Sequence, residues 1–253
     1  MTQPYITLTK DNLEAEHLCC AIADKKHQAG VRAKKTWLSH RLSEGHVFCK
    51  LDAKAKVFIE YAPLESAWAP VEGKGFIYIY CLWVSGQHKG QGHGRWLLES
   101  CIREAREKGY AGVCVITGKK KKPFHTDAAF FSRFGFEVVD RLPEDYQLMA
   151  LSFAGEKPCF TQAARRFQTE DKGIAVYYSP QCPYIMDCLR QVREFCGMRG
   201  IPFTAHEVTS AREAKEVPCV FNNWAVFHEG RFITTHLLNE GYLAKMLDTL
   251  KEG

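Results

Sequence analysis

Between Ser85 and Leu97 the chain reads Ser85-Gly86-Gln87-His88-Lys89-Gly90-Gln91-Gly92-His93-Gly94-Arg95-Trp96-Leu97, with glycines at the alternate positions 90, 92 and 94. Residues without a Cβ let successive main-chain N–H groups close on an anion, and the dipole of a following helix adds to the attraction. The chemistry this spacing offers is phosphate binding, and a pyrophosphate fits such a cradle. Two common phosphate motifs are absent. A P-loop needs Gly-x-x-x-x-Gly-Lys-Ser/Thr, and a dinucleotide fingerprint needs a third glycine where Arg95 stands.

A cradle of this kind has to be held by a strand before it and a helix after it. Phe76 to Val84 is an apolar strand run, and beyond the glycines Leu97, Leu98, Cys101, Ile102 and Ala105 recur at helical spacing. Arg95, Glu99 and Arg103 fall four apart with alternating sign on the other face, so the helix is amphipathic and packs on a sheet. His46 to Leu51 and Lys56 to Tyr61 are also rich in Val, Ile, Phe and Tyr, which predicts a three-strand meander with Phe76 to Val84. Residues 1–153 read in order as a strand, two helices, three strands, the glycine turn, a helix, a strand, a short helix and a final strand.

Gln87, Gly90 and Gly92 form Gln-x-x-Gly-x-Gly, and Phe131-Ser132-Arg133-Phe134-Gly135-Phe136 closes the following strand and short helix. Taken together these resemble the acetyl-CoA loop and the Tyr-x-x-x-Gly-Phe signature of the GNAT superfamily of N-acetyltransferases, over residues 1–153. The resemblance implies an α/β (α+β) fold with a mixed central sheet, acetyl-CoA as acetyl donor, and direct transfer to an amine with no covalent enzyme intermediate. It implies that the donor lies where the strands Phe76 to Val84 and Gly112 to Thr117 splay apart, its pantetheine bonded to the backbone of Leu82 and Val84. The implied donor-binding set is Leu82, Trp83, Val84, Gln87, His88, Lys89, Gly90, Gln91, Gly92, His93, Gly94, Arg95, Thr117, Asp127 and Phe131. The Leu82 N–H would polarise the thioester carbonyl as charge grows on it.

The chain departs from the family at Phe131, which stands where a tyrosine usually protonates the departing thiolate. Solvent, Ser132 or His125 is left for that task. Glu60, Glu65, Tyr80 and His125 are open as general base. Lys119 to Lys122 reads either as an exposed lysine loop or as a contact to a nucleotide 3′-phosphate or an acidic substrate. Trp37 and Trp68 read as packing residues or as walls of the amine pocket.

Ala154 to Lys172 is polar with little periodicity and is expected to be a linker. From Gly173 the order is a strand (Ile174 to Tyr178), a helix ending near Gly197, a strand (Phe203 to Val208), a short helix, two strands meeting near His228-Glu229-Gly230, and a helix from Asn239 to Leu250. Cys182-Pro183-Tyr184 opens the first helix and Val217-Pro218 enters the third strand, so residues 173–253 resemble the thioredoxin and glutaredoxin fold. In that family the proline matching Pro218 is cis. The pairing with the first domain is similar to the bacterial YoaP-like acetyltransferases.

A cysteine at a helix start gains thiolate stabilisation, which makes Cys182 a candidate nucleophile. Its resolving position holds Ile185 instead. Cys188 is six residues on, about 9 Å along a regular helix and beyond disulfide reach. A degenerate, binding or regulatory module therefore ranks above a monothiol redox centre in this half, and the alternative for the whole chain is a thiol-dependent redox or sensor protein using Cys182 with an acyl-CoA-binding regulatory domain.

Composition bounds the alternatives. At 253 residues, 46% apolar and 25% charged, the chain has material for two packed domains. The net charge of +5 arises entirely in residues 1–153, where 22 basic residues face 17 acidic ones. Nothing interleaves that charge with aromatics as single-strand nucleic-acid binders do. Eleven cysteines, odd in number and irregular in spacing, predict free thiols and no structural metal. Met1 to His17 lacks a signal peptide's apolar stretch and no run approaches a membrane span, so a soluble cytoplasmic protein is expected, with no membrane or nucleic-acid partner.

Overall fold

The computed structural model describes residues 4–18, 21–22, 25–120, 122 and 125–251. Lys121 of the lysine run, Cys19 and Cys20 lie outside the described residues. The elements are β1 (Tyr5–Thr7), α1 (Gln28–Arg41), β2 (Val47–Leu51), β3 (Val57–Pro63), β4 (Val71–Glu72), β5 (Phe76–Val84), α2 (His93–Glu107), β6 (Gly112–Gly118), α3 (Ala128–Ser132), β7 (Glu137–Arg141) and β8 (Tyr146–Ser152). They continue with β9 (Cys159–Phe160), β10 (Ile174–Tyr178), α4 (Ile185–Arg199), β11 (Phe203–Glu207), α5 (Ala211–Glu216), β12 (Trp224–His228), β13 (Arg231–Thr234) and α6 (Glu240–Lys251).

The larger sheet has seven strands in the order β1-β2-β3-β5-β6-β8-β7. The expected meander of β2, β3 and β5 is present and antiparallel. Within it Glu60 pairs with Cys81 and Tyr61 with Ile79, so Tyr80 is an extra residue and β5 carries a bulge there. Beyond that bulge β5 also loses its other neighbour. Its parallel pairing with β6 covers only Phe76 to Ile79 against Gly112 to Val115, while β6 runs on beside β8 to Gly118. The two parallel strands therefore part over Tyr80 to Val84, as the sequence reading placed them.

Two expectations for the first 153 residues are corrected. Ahead of the meander the described residues hold one α-helix rather than two. Residues 9–16 form turns, in which the Thr9 N–H donates to Asn12 Oδ1 at 2.8 Å and Asn12 Nδ2 donates to the Thr7 carbonyl at 3.1 Å. Such local side-chain bonds compete with helix. The single final strand is instead the hairpin β7-β8, turned at Glu144 and Asp145, both at positive φ (60° and 63°).

One face of the large sheet packs on α2, whose Leu97, Leu98, Cys101 and Ala105 are buried against Ile59, Ile79, Val113 and Val115. The other face buries Phe58, Tyr78, Tyr80 and Cys114 together with Trp37 and Leu38 of α1. That cluster continues without a break into Val217, Val220, Phe221 and Phe227, below the second sheet, whose order is β11-β10-β12-β13. Strands β10 and β11 are parallel, and β12 lies antiparallel to β10 and to β13. The elements expected after Gly173 are all present, but no described peptide is cis, the one before Pro218 included.

The segment 154–172, expected as a linker, is part of the packed structure. β9 pairs with β4, and Phe160 and Ala164 are fully buried. Its charges masked apolar residues at 160, 163, 164 and 167. Among the described residues no helix is long and apolar enough to cross a membrane, and no group of three or more His, Cys, Asp or Glu is placed to hold a metal.

Candidate active site

The glycine turn begins with one 3-10 turn, Gly86–His88, and then enters α2 through Gly92. Gly90 (φ 76°) and Gly92 (φ 83°) are both left-handed, a conformation that costs an L-residue roughly 1–2 kcal/mol. A Cβ at either position would meet nothing within 4 Å, so the turn borders open space and its glycines serve backbone conformation rather than tight packing. The first bond of the helix runs from Trp96 N–H to the Gly92 carbonyl at 3.0 Å. Gly92 brings no side-chain cap, so the N–H groups of His93, Gly94 and Arg95 lie in the turn where a helix has no intrahelical partner to offer them.

These groups open on a cleft of about 570 Å³. Twelve of the residues singled out from sequence line it: Leu82, Trp83, Val84, His88, Lys89, Gly90, Gly92, His93, Gly94, Arg95, His125 and Asp127. The others do not. Gln91 turns back to donate Nε2–H to the Gln87 carbonyl at 2.7 Å, and Thr117 is fully buried in β6. Phe131 is also fully buried, packed against Phe136 at 5.2 Å between ring centres, so it neither lines the cleft nor faces a departing group. Four lining residues escaped the sequence reading: Thr126, Phe130, Arg133 and Phe134. Phe130, in α3, and Phe134, in the turn after it, lie one and three residues from Phe131 and face the cleft.

At the parted strands, Thr126 donates its hydroxyl to the Leu82 carbonyl at 3.1 Å. The carbonyl and amide of one strand residue point to the same edge, so this contact puts the Leu82 N–H on the edge that β6 has left. His125 stands beside it, with Nδ1 3.4 Å from the Ile116 carbonyl. Burial pushes its imidazole down to about 4 against the weaker upward pull of that carbonyl, with Lys122 adding to the fall. His125 is therefore neutral near pH 7.

The remaining candidates for proton transfer are engaged elsewhere. Glu65 accepts from the Gly75 N–H at 2.6 Å and holds a turn. The Tyr80 hydroxyl is tied to the Trp68 N–H at 2.5 Å, and burial raises it far above an ordinary phenol. Ser132 donates to the Ala128 carbonyl within α3 at 3.2 Å. In the lysine run, Lys120 pairs with Asp145 at 3.7 Å and Lys122 lies over the Tyr146 ring at 4.6 Å; the cleft's own cations are Lys89, Arg95 and Arg133. Trp37 and Trp68 are buried and meet edge to face at 5.4 Å, in the core.

Glu60 sits at the centre of a buried network on the opposite face of the sheet. Its carboxylate accepts from Lys34 Nζ at 2.6 Å, His46 Nε2 at 3.0 Å and Gln181 Nε2 at 2.7 Å. Burial alone would raise its pKa, but the Lys34 ammonium and His46 outweigh that and hold it below the usual carboxylate range. Burial lowers His46 despite the Glu60 hydrogen bond, so the network is an ion pair of Glu60 and Lys34 with a neutral imidazole.

Beside the second sheet Cys182 precedes α4 and is half-buried, and its carbonyl accepts from the Ile185 N–H at 3.1 Å. None of the nine described cysteines takes part in a disulfide. Burial, reinforced by Cys182 and Asp187, pushes the Cys188 thiol up to about 12. Cys196 is core, packed with Leu189, Val192 and Phe195 of the same helix.

A mixed sheet whose parallel strands part beside a glycine turn defines the class as an α/β acyltransferase. The chain belongs to the acetyltransferase (GNAT) family, whose model matches residues 10–136, and a YoaP-like model matches residues 202–245. It is 40% identical over 248 residues to the uncharacterized N-acetyltransferase YoaP of Bacillus subtilis (strain 168), covering 97% of this chain and 99% of that protein. Solved structures resembling it include a GNAT acetyltransferase of Brucella melitensis in complex with acetyl-CoA, at 14% identity over 62% of this chain and 91% of that one, TM-score 0.39. The PaiA N-acetyltransferase of Thermoplasma acidophilum in complex with coenzyme A is another, at 14% identity over 59% and 99%, TM-score 0.39.

Proposed function

We propose that this N-acetyltransferase takes acetyl-CoA in the cleft beside the glycine turn and transfers the acetyl group directly to an amine. The observation that carries this reading is the parting of β5 and β6 immediately before a helix start with free main-chain donors. Residues and ligand fit: a diphosphate needs several convergent N–H groups and nearby cations, and the N–H groups of His93 to Arg95, with Lys89, Arg95 and Arg133 on the walls, supply that chemistry. The bound donor supplies an acyl group on a good leaving sulfur.

Each further part falls to this chain's own residues. The free edge at Leu82 orients the donor's amide arm, and its N–H supports the thioester oxygen as negative charge builds. The amine attacks uncharged; a C–N bond forms, the C–S bond breaks with its electron pair going to sulfur, and the amine's extra proton passes to solvent water. His125 is a hydrogen-bond acceptor for that amine through Nε2 rather than a strong base, because a group with a pKa of about 4 does not hold the proton at neutral pH. With Phe131 in the core, the thiolate is protonated by solvent. Positioning then supplies most of the rate.

The second sheet, with its parallel β10-β11 pair and antiparallel β12-β13 hairpin, supports a thioredoxin-like reading of the YoaP-like region. Its elevated Cys188 and the Ile185 at the resolving position favour a binding module over a dithiol centre. Calorimetry with CoA tests the main reading: the wild-type chain binds and Gly92→Asp, which puts a carboxylate and a strained backbone in the cradle, does not. Equal affinity in the two proteins would remove the site.

A further inference from the structure

A second cavity, of about 370 Å³, lies on the other side of β5 from the glycine-turn cleft and is walled on one side by the second domain. One wall is Phe58, Tyr80 and Trp83 of the large sheet; the facing wall is Gln181, Cys182 and Tyr184 from the loop before α4. Trp83 lines this cavity and the cleft alike, so the two spaces meet across a single stretch of strand, where the parted edge at Leu82 lies. Resting on the acetyltransferase reading above, we propose that this cavity is the acceptor pocket, that the second domain builds half of it, and that it takes small primary amines with a flat apolar body.

The facing wall is fastened rather than merely adjacent. Gln181 reaches Glu60 at 2.7 Å and accepts from Asn223 Nδ2 at 2.7 Å. Asn222 donates to the Tyr80 carbonyl at 3.0 Å and accepts from the Tyr78 hydroxyl at 3.0 Å. These contacts lock the second domain's loops onto the bulge in β5, so the cavity has a defined shape and a size within the ordinary range for small ligands.

Its electrostatics select the amine. Glu60 is the single carboxylate among the lining residues, and it is already matched by Lys34 and bonded by His46 and Gln181. Lys56 adds a further positive charge to the lining. Aromatic walls alone would attract an ammonium group, but with Lys34 and Glu60 offsetting each other the lining keeps the net positive charge of Lys56, which opposes it. A half-open but mostly apolar space also favours the deprotonated form of an amine, which is the form that attacks. Polyamines and lysine-rich peptides bring several cations for which this cavity has no counter-charge, whereas the flat faces of Phe58, Tyr80 and Trp83 suit an aromatic or similarly planar body.

The test is CoA release by the full chain at saturating acetyl-CoA with phenethylamine, tyramine, spermidine and a lysine-containing peptide. The arylalkylamines should exceed the other two in kcat/KM by about tenfold or more. Cys182→Trp fills the cavity from the second domain's side and should raise KM for phenethylamine about tenfold or more, with CoA affinity by calorimetry unchanged. Tyr184→Ala, which enlarges the same wall, should shift preference towards bulkier amines. Preference for spermidine or the peptide, no turnover of any arylalkylamine by a chain that binds CoA, or unaltered amine KM in both variants would overturn the proposal. Failure of the wild-type chain to bind CoA would instead overturn the acetyltransferase reading beneath it.

Discussion

The glycine-turn cleft and the cavity across β5 are built on different plans. The cleft is made largely of main chain: left-handed glycines, helix-start N–H groups and a strand edge, drawn mostly from two short stretches, 82–95 and 125–134. The cavity is made of side chains from residue 34 to residue 223 and of a charge network that joins two sheets. A site built from backbone conformation holds a constant chemical group and tolerates changes in the surrounding side chains. A site built from side chains across an interface can change its ligand by altering one loop. That difference suits the two proposals, a constant donor in the first and selectivity for the acceptor in the second.

The comparison breaks most severely at Lys34. Lys34→Ala leaves the Glu60 carboxylate buried without its ammonium partner, a loss of roughly 3–5 kcal/mol that chemical denaturation would read directly. Glu60→Gln with Lys34→Met removes both charges and should recover much of it. Gly92→Asp ranks next: CoA affinity should fall at least about 100-fold, near 3 kcal/mol, while stability falls only by the roughly 1–2 kcal/mol that a left-handed L-residue costs, because the added Cβ meets no neighbour.

Titration sharpens the same contrast. His125 binds its proton far less readily folded (about 4) than unfolded (about 6.5), so the unfolded chain takes up more protons as pH falls. Stability is then full above about pH 6.5 and declines towards pH 4, by roughly 1–2 kcal/mol for a half-buried group. His125→Gln should flatten that decline in pH-dependent melting. The depressed Glu60 acts lower, its contribution present above the ordinary carboxylate pKa and lost as pH falls through its folded value. Smallest is Arg95→Ala: its 3.4 Å pair with Glu99 is exposed, so stability should change by less than about 0.5 kcal/mol while CoA affinity drops several-fold.

What was legible in the sequence follows the same division. The strand, glycine turn and helix were readable because their signals are local: β-branched runs, residues that tolerate positive φ, and apolar spacing at 97, 98, 101 and 105. The alignment that set Phe131 beside the donor located the right helix but the wrong face, since Phe130 and Phe134 are the rings turned to the cleft. Glu60 stood among several possible bases, and nothing adjacent to it in sequence indicated that Lys34, His46 and Gln181 would converge on it. Charges on residues 154–172 concealed the buried Phe160 and Ala164, so a packed connection read as a free linker. Contacts between residues a hundred positions apart leave no periodic trace.

A crystal structure of the full chain with CoA tests the central claim most directly. The account predicts both diphosphate groups within hydrogen-bond reach of the main-chain N–H groups of residues 93–95 and the sulfur beside Leu82, on the edge that β6 leaves. Density for CoA elsewhere, or a cleft that stays empty at saturating CoA, would contradict it.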